Sequence, residues 1–532
     1  MGIPYYFSYI IKNYPKILVN RKCFKGIIHN FYLDSNSIIY DVYNEIEDFP
    51  IGLTFDFENV LINNTISKIN LLIEIINPQN MIFIAFDGVA PIAKLEQQRS
   101  RRYKSDFQNK IKNNILLNNN TNIRSKNWST CNITPGTNFM NKLDNKIRNY
   151  YKTNNKVKFS GPNEPGEGEH KIFSFIRKNI CHVKETTLIY GLDADLIMLC
   201  LNHMHYCKNI YLWRETPNFI KSLQHDLDPT ETYILDILTL SEKLMIYLEK
   251  HVSSTTINLE KCMKDYIFLC FLLGNDFLPH FPAINIRTGG VDKLLLTYSE
   301  IISNSKEYLI ENNRINWKLF IIFLQTISKV EESYIISEYE LRNKKEKQKI
   351  KITDVESKIR NFELTPTFKR EIEHFINPKE NYWQKRYYSS LLNIKNDENL
   401  IKRKRLCLNY LSGLEWTFHY YSGDCIDWEW KYNYNYPPLI EDLIKFIPTS
   451  SNFSFFTDKE TKPVIPLVQL AFVLPLDQLT LLPSHIRKKL YNNFAQYYSN
   501  EWKFEYSFCK YFWESHVIME DIDINELNKL IT

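Results

Sequence analysis

Gly191-Leu192-Asp193-Ala194-Asp195-Leu196-Ile197-Met198-Leu199 sets two aspartates one residue apart between two apolar runs. The run before it, Thr187-Leu188-Ile189-Tyr190, has the composition of a strand, and the run after it has the unbroken apolar character of a buried helix. A strand that ends in carboxylates and hands over to a helix is the building unit of an open α/β sheet, whose sites form beyond the carboxyl ends of the strands. Outward from this point the pattern recurs twice: Phe31-Tyr32-Leu33 runs into Asp34, and Met81-Ile82-Phe83-Ile84-Ala85-Phe86 runs into Asp87. The first 300 residues therefore read as α/β, a mostly parallel sheet with crossover helices.

Carboxylates beside a core element are costly unless a cation or basic group compensates them. Mg²⁺ suits such a place, because it takes oxygen ligands and is held by few protein carboxylates. Two further acidic points extend the set. Glu167 and Glu169 flank a glycine in Pro165-Gly166-Glu167-Gly168-Glu169-His170-Lys171, and Asp276 follows an apolar helix in Leu272-Leu273-Gly274-Asn275-Asp276-Phe277-Leu278-Pro279. Asp34, Asp87, Glu167, Glu169, Asp193, Asp195 and Asp276 make seven candidates. Gathered in one pocket they would repel strongly, which points to two metal ions roughly 3.5–4 Å apart, one activating a water and the other stabilising a leaving oxygen. Taken singly, Asp34 or Asp87 is better read as a cap or turn residue. Composition does not separate a nuclease from a phosphatase.

Directly after Asp87 comes a basic stretch, Lys94-Leu95-Glu96-Gln97-Gln98-Arg99-Ser100-Arg101-Arg102. If helical beyond Pro91, it sets Lys94, Gln98, Arg101 and Arg102 on one face at spacings of three and four. Arginine forks and a lysine charge on one face suit a phosphate. An isolated run of this kind is usually a solvated basic helix, but this one is attached to a candidate metal ligand. Residues 106–127 are polar and Asn-rich and read as a surface excursion. Residues 301–404 read as a helical, charged connector. From 405 the composition turns aromatic, with Trp416, Trp428 and Trp430, so a second ordered portion is expected to pack back on the first.

The whole chain has 532 residues, 44% hydrophobic and 14% aromatic, enough to bury a large core and too ordered in composition for a disordered protein. Its 66 basic and 61 acidic residues give a net charge of +5, too mild to argue for nucleic acid without regard to position. The ten cysteines form no C-x₂-C pair and no disulfide framework, and they read as reduced core residues. No run approaches the roughly 20 apolar residues of a membrane span, and the start lacks the pattern of a secretory signal.

Together these segments resemble the Xrn family of 5′→3′ exoribonucleases. The likeness lies in Met1-Gly2-Ile3-Pro4, Tyr32-Leu33-Asp34-Ser35-Asn36, Asp87 to Pro91 with Gln97 to Arg102, Ile133-Thr134-Pro135-Gly136-Thr137, Pro165 to Lys171, Gly191 to Leu199 and Gly274 to Phe277. It resumes at Trp416 to Tyr421, Trp428 to Pro438, Gln469 to Leu474 and Leu482-Pro483. The resemblance implies a PIN/flap-nuclease-like sheet flanked by helices, a nuclease region at 1–300 and a second family region at 405–532.

It further implies a processive hydrolase in RNA decay that uses two Mg²⁺ ions, with Mn²⁺ as a substitute, and acts on single-stranded RNA bearing a 5′-monophosphate. The seven acids fall at the family's acidic positions, and Lys94, Gln98, Arg101 and Arg102 match its 5′-phosphate pocket. Tyr40 stands where the family usually has a histidine, a base-stacking position; its stacking partner is Trp428 or Trp430, with core packing the ordinary role of the other. A monomer is expected, with decapping proteins as candidate partners and cytoplasm as the default location, the nucleus also being open. Two rivals stand beside this reading: a structure-specific flap nuclease on DNA, and an inactive RNA-binding scaffold.

Overall fold

The computed structural model describes all residues except 1, 47–55, 120–127, 180–182, 215, 218, 253–257, 306, 349, 396–398, 451–452 and 457–459. Its centre is a seven-stranded sheet built from β1 (Leu18–Asn20), β2 (Asn30–Asp34), β3 (Met81–Ala85), β4 (Val157–Ser160), β5 (Thr186–Tyr190), β6 (Asn209–Arg214) and β7 (Tyr233–Asp236). The spatial order is β1-β7-β6-β5-β2-β3-β4. Strands β4, β3, β2, β5 and β6 run parallel, while β7 and β1 join the far edge antiparallel. The three runs read as strands are β2, β3 and β5, the central members of the parallel set.

Alternation along these strands divides the interior in two. Tyr32, Phe83 and Ile189 face one apolar cluster, and Phe31, Leu33, Ile82, Ile84, Leu188 and Tyr190 face another. With both faces covered, the strands are apolar throughout. β2 lies beside both β3 and β5, so Asp34, Asp87 and Asp193 leave the sheet at neighbouring strand ends.

The helix after β3 runs from Ile92 to Leu117, which corrects the reading of the 106–127 stretch as an excursion for residues 106–117. The reason is packing: Phe107 sits among Phe362, Phe504 and Phe512, an apolar anchor that the polar composition hides. Residues 120–127 of that stretch lie outside the described residues. The segment expected as a connector contains the helix Trp317–Glu346, whose Trp317, Phe320, Phe323 and Leu324 belong to the larger sheet-facing core. From the aromatic region, the helix Asn399–Ser422 enters the same core through Trp416 and Phe418. A third apolar cluster joins Ala90, Ile92 and Leu95 to residues between Val468 and Ile531, so the C-terminal portion grips the first turn of the basic helix. Among the described residues, no helix is long and apolar enough to cross a membrane.

Candidate active site

The acids leave the sheet where the chain must turn closely. Gly166 has φ 104°, in the left-handed region, and its backbone exchanges hydrogen bonds with Gly88 and Val89. This fastens the Glu167 turn to the segment after Asp87. At Gly168 a Cβ would lie 2.4 Å from Asp34 Oδ1, so only glycine lets the helix Gly168–Lys178 begin against that carboxylate. The Gly168 N–H donates to Asp87 Oδ1 at 2.7 Å, placing a second acid at the positive end of the helix. Asn36 clasps Asp87 from the other side, donating to Oδ2 at 2.6 Å and accepting the Asp87 N–H.

The seven candidates meet. Lys94, buried at the start of the basic helix, puts its Nζ 2.7 Å from Glu167 Oε2 and 2.9 Å from Asp276 Oδ2. Glu167, Glu169 and His170 bring one ligand atom each within 4.8 Å of one another. Burial, followed by the charges of Asp87, Asp193 and Glu167, pushes the Asp34 carboxyl well above its ordinary range. Burial and Asp195 do the same to Glu169, and burial with Asp276 lifts Asp195 to about 7. Asp276 moves the other way: against burial, the Lys94 ammonium holds it low. Lys94 thus lies among the seven acids, with Lys171 acting on Asp87 and Arg101 on Asp193 and Asp276.

Two of the oxygens, Asp34 Oδ1 and Glu169 Oε2, are buried without a hydrogen-bond donor. Buried carboxylate oxygens that face other carboxylates suit a hard divalent cation, so the donor set fits Mg²⁺ or a similar ion.

The basic face is built on the same helix. Tyr40 lies near Arg101 and Arg102; burial raises its hydroxyl, opposed by those two charges. Arg102 donates to Thr134 Oγ1 at 2.5 Å, so the Ile133–Thr137 segment supports this basic face. Gln98 is half-buried and Arg101 exposed. Lys94 stands apart from the open face, engaged with the acids. The two tryptophans separate: Trp430 is 9% exposed, stacked 5.1 Å from Trp416, with its Nε1 donating to Ser412. Trp428 is half-buried, and its carbonyl accepts from the Ile92 N–H, pinning it at the start of the basic helix.

Several contributors were not singled out from the sequence. Tyr420 donates to Glu167 Oε1 at 2.7 Å and Tyr421 to Asp195 Oδ1 at 2.5 Å, so the C-terminal region reaches into the acidic site. His170 lies against Tyr420, ring centroids 3.7 Å apart and planes tilted by 31°, and burial, reinforced by Lys94, keeps it neutral. Lys171 donates to the carbonyls of Phe86 and Gly161, tying β3 to the Glu167 turn. The adjacent tyrosines in Trp416–Tyr421 were a usable signal, since paired hydroxyls on one helix seek acceptors when buried.

Comparison with known proteins agrees with this geometry. A family profile described as the XRN 5′–3′ exonuclease N-terminus matches residues 1–216, and one described as the Xrn1 helical domain matches 256–374 and 367–531. The chain is 26% identical to the 5′–3′ exoribonuclease 2 of Gallus gallus over 99% of its own length and 69% of that protein. It is 28% identical to the human 5′–3′ exoribonuclease 1 over 99% of this chain and 34% of that one, and 25% identical to the 5′–3′ exoribonuclease 1 of Saccharomyces cerevisiae over 99% and 43%. The chain thus spans about a third to two thirds of the length of these relatives. With both family regions present and every acidic segment converging on one point, the chain belongs to the Xrn family of 5′→3′ exoribonucleases.

Proposed function

We propose that the protein hydrolyses single-stranded RNA processively from a 5′-monophosphate end, releasing nucleoside 5′-monophosphates. The observation that carries the reading is the junction on one helix: Lys94 engages the acidic cluster, and Arg101 and Arg102, two turns on, stand beside Tyr40.

Asp34, Asp87, Glu167, Glu169, Asp193, Asp195 and Asp276 would hold two divalent cations, Mg²⁺ with Mn²⁺ as a substitute, which when bound supply an activated water and charge for the leaving oxygen. Around them the chain's residues position the substrate. Arg101, Arg102 and Gln98 receive the terminal phosphate, and a cap or triphosphate adds bulk and charge that this face rejects. Tyr40 and Trp428 offer rings to the first bases, each stack contributing roughly 1–3 kcal/mol without regard to sequence; the core position of Trp430 leaves Trp428 as the partner. Tyr420 and Tyr421 orient Glu167 and Asp195 through their hydroxyls. Water oxygen bonds to the phosphorus between the first two nucleotides, the bond to the 3′-oxygen breaks, and that oxygen takes a proton. The shortened RNA then carries a new 5′-phosphate, which re-enters the same face.

The test is decay of RNAs that differ only in their 5′ group, with and without Mg²⁺. Rapid, metal-dependent loss of the monophosphate RNA alone is expected. Indifference to the 5′ group, or preferential cutting of flap DNA, would overturn the reading.

A further inference from the structure

A chamber of about 450 Å³ opens beside the acidic site, bounded by Asp276 and by the neighbouring face of the Ile92–Leu117 helix. That volume falls among the roughly 300–1,000 Å³ pockets that enclose small ligands. Gln97, Ser100, Arg101 and Lys104 line it, whereas Gln98, Arg101 and Arg102 form the phosphate face; Arg101 belongs to both. Helical spacing explains the sharing, because residues 97, 100, 101 and 104 form one stripe and 98, 101 and 102 the next.

The walls carry polar groups left without partners. Both amide atoms of Gln97, the Asn275 Nδ2 and the Arg287 Nε are buried and make no hydrogen bond. Leaving such groups unmatched is costly, so they point to a polar ligand. Aromatic surface accompanies them: Tyr5 lies under the Arg287 guanidinium at 3.7 Å and beside Trp513 at 6.0 Å. An amide that both donates and accepts, a flat aromatic wall and a cation at the mouth suit a nucleoside monophosphate, and an amide able to rotate serves any base edge.

We propose that this chamber binds the released nucleoside 5′-monophosphate and is its way out. The inference rests on the proposed exonuclease activity. A polymer anchored between Tyr40 and Trp428 covers the face through which it arrived, so a product leaving through the chamber, which neither ring lines, spares the enzyme from releasing the chain after each cut. Arg101, exposed at the boundary, passes the phosphate from one face to the other.

The experiment uses the full chain saturated with a 5′-phosphorylated oligoribonucleotide whose first linkage is a non-cleavable methylene phosphonate, and AMP as the probe. AMP is expected to bind this RNA-loaded protein, and Gln97→Ala is expected to weaken that binding about tenfold while leaving RNA affinity unchanged. Complete displacement of AMP by RNA, or equal AMP binding by variant and wild type, would overturn the proposal. Ser100→Trp, which fills the chamber, should slow steady-state turnover about tenfold relative to wild type while sparing the first turnover; an unchanged steady state counts against the exit route. Failure of the exonuclease reading itself shows separately, as no first-turnover cleavage by wild type.

Discussion

Glu373 and Glu169 are almost equally buried, 2% and 4% exposed, yet their surroundings are opposite in sign. Glu373 accepts from Arg342 and Arg370 and from the Phe508 N–H, and against the effect of burial Arg342 holds it below the usual carboxylate range. Glu169 faces Asp195, Glu167 and Asp193, has one oxygen without a donor, and is pushed well above that range by burial and those charges. The first carboxylate joins the Trp317–Glu346 helix to the C-terminal region and is satisfied by the protein itself. The second belongs to a group that the protein leaves electrostatically incomplete. Such a cluster persists where an external cation compensates it, so the contrast separates acids that build the fold from acids proposed to do chemistry.

Substitution should therefore split the two groups by what is lost. Asp193→Ala is expected to lower hydrolysis by about 10³-fold or more, with single-stranded RNA binding and thermal stability retained. Normal metal-dependent turnover by this variant would break the assignment. Glu373→Ala should do the reverse, costing about 3–5 kcal/mol of stability by leaving Arg342 buried without a carboxylate partner, while Arg370 keeps Glu346. Denaturant unfolding gives that figure, and below the melting transition turnover should stay near that of wild type. A third substitution examines the basic rim between the groups. Arg101→Ala should reduce the preference for monophosphate over hydroxyl ends about tenfold, the scale of one charged hydrogen bond; undiminished discrimination would remove Arg101 from the phosphate face.

Asp34, Asp87 and Asp193 were legible because each ends or follows an apolar strand, and parallel topology carries such ends to one edge of the sheet. The helical face from Lys94 to Arg102 was legible from spacing alone. Position on that face did not reveal that Lys94 turns inward to Glu167 and Asp276, because its partners lie 73 and 182 residues away in the chain. Trp428 and Trp430 look alike in sequence, and it is the burial of Trp430, its stack on Trp416 and its bond to Ser412 that tell them apart. Tyr420 and Tyr421 escaped for a similar reason: a hydroxyl's acceptor is fixed by tertiary packing, and theirs come from the first half of the chain. The polar surface of residues 106–117 masked the later turns of a helix, which Phe107 anchors among Phe362, Phe504 and Phe512, a case of packing overriding composition.

The finest version of the comparison concerns Glu331, a buried carboxylate outside the site whose donors are uncharged. Its oxygens accept from the N–H groups of Ile440 and Glu441 at 2.9 and 3.4 Å, capping the helix Ile440–Ile444, while burial lifts its carboxyl to about 7. Because the folded value lies above the ordinary 4.5, the contribution to stability is complete below about pH 4.5 and is lost as pH rises through about 7. Glu331→Gln keeps a carbonyl acceptor for the Ile440 N–H and removes the proton. The variant should gain about 1–2 kcal/mol on wild type between about pH 5 and about pH 8, read from denaturant midpoints at both values. Parallel pH profiles would show instead that two backbone donors suffice to hold the ionised form. Glu331 would then stand with Glu373, and backbone N–H groups alone, without an arginine, would be enough to make a buried carboxylate structural.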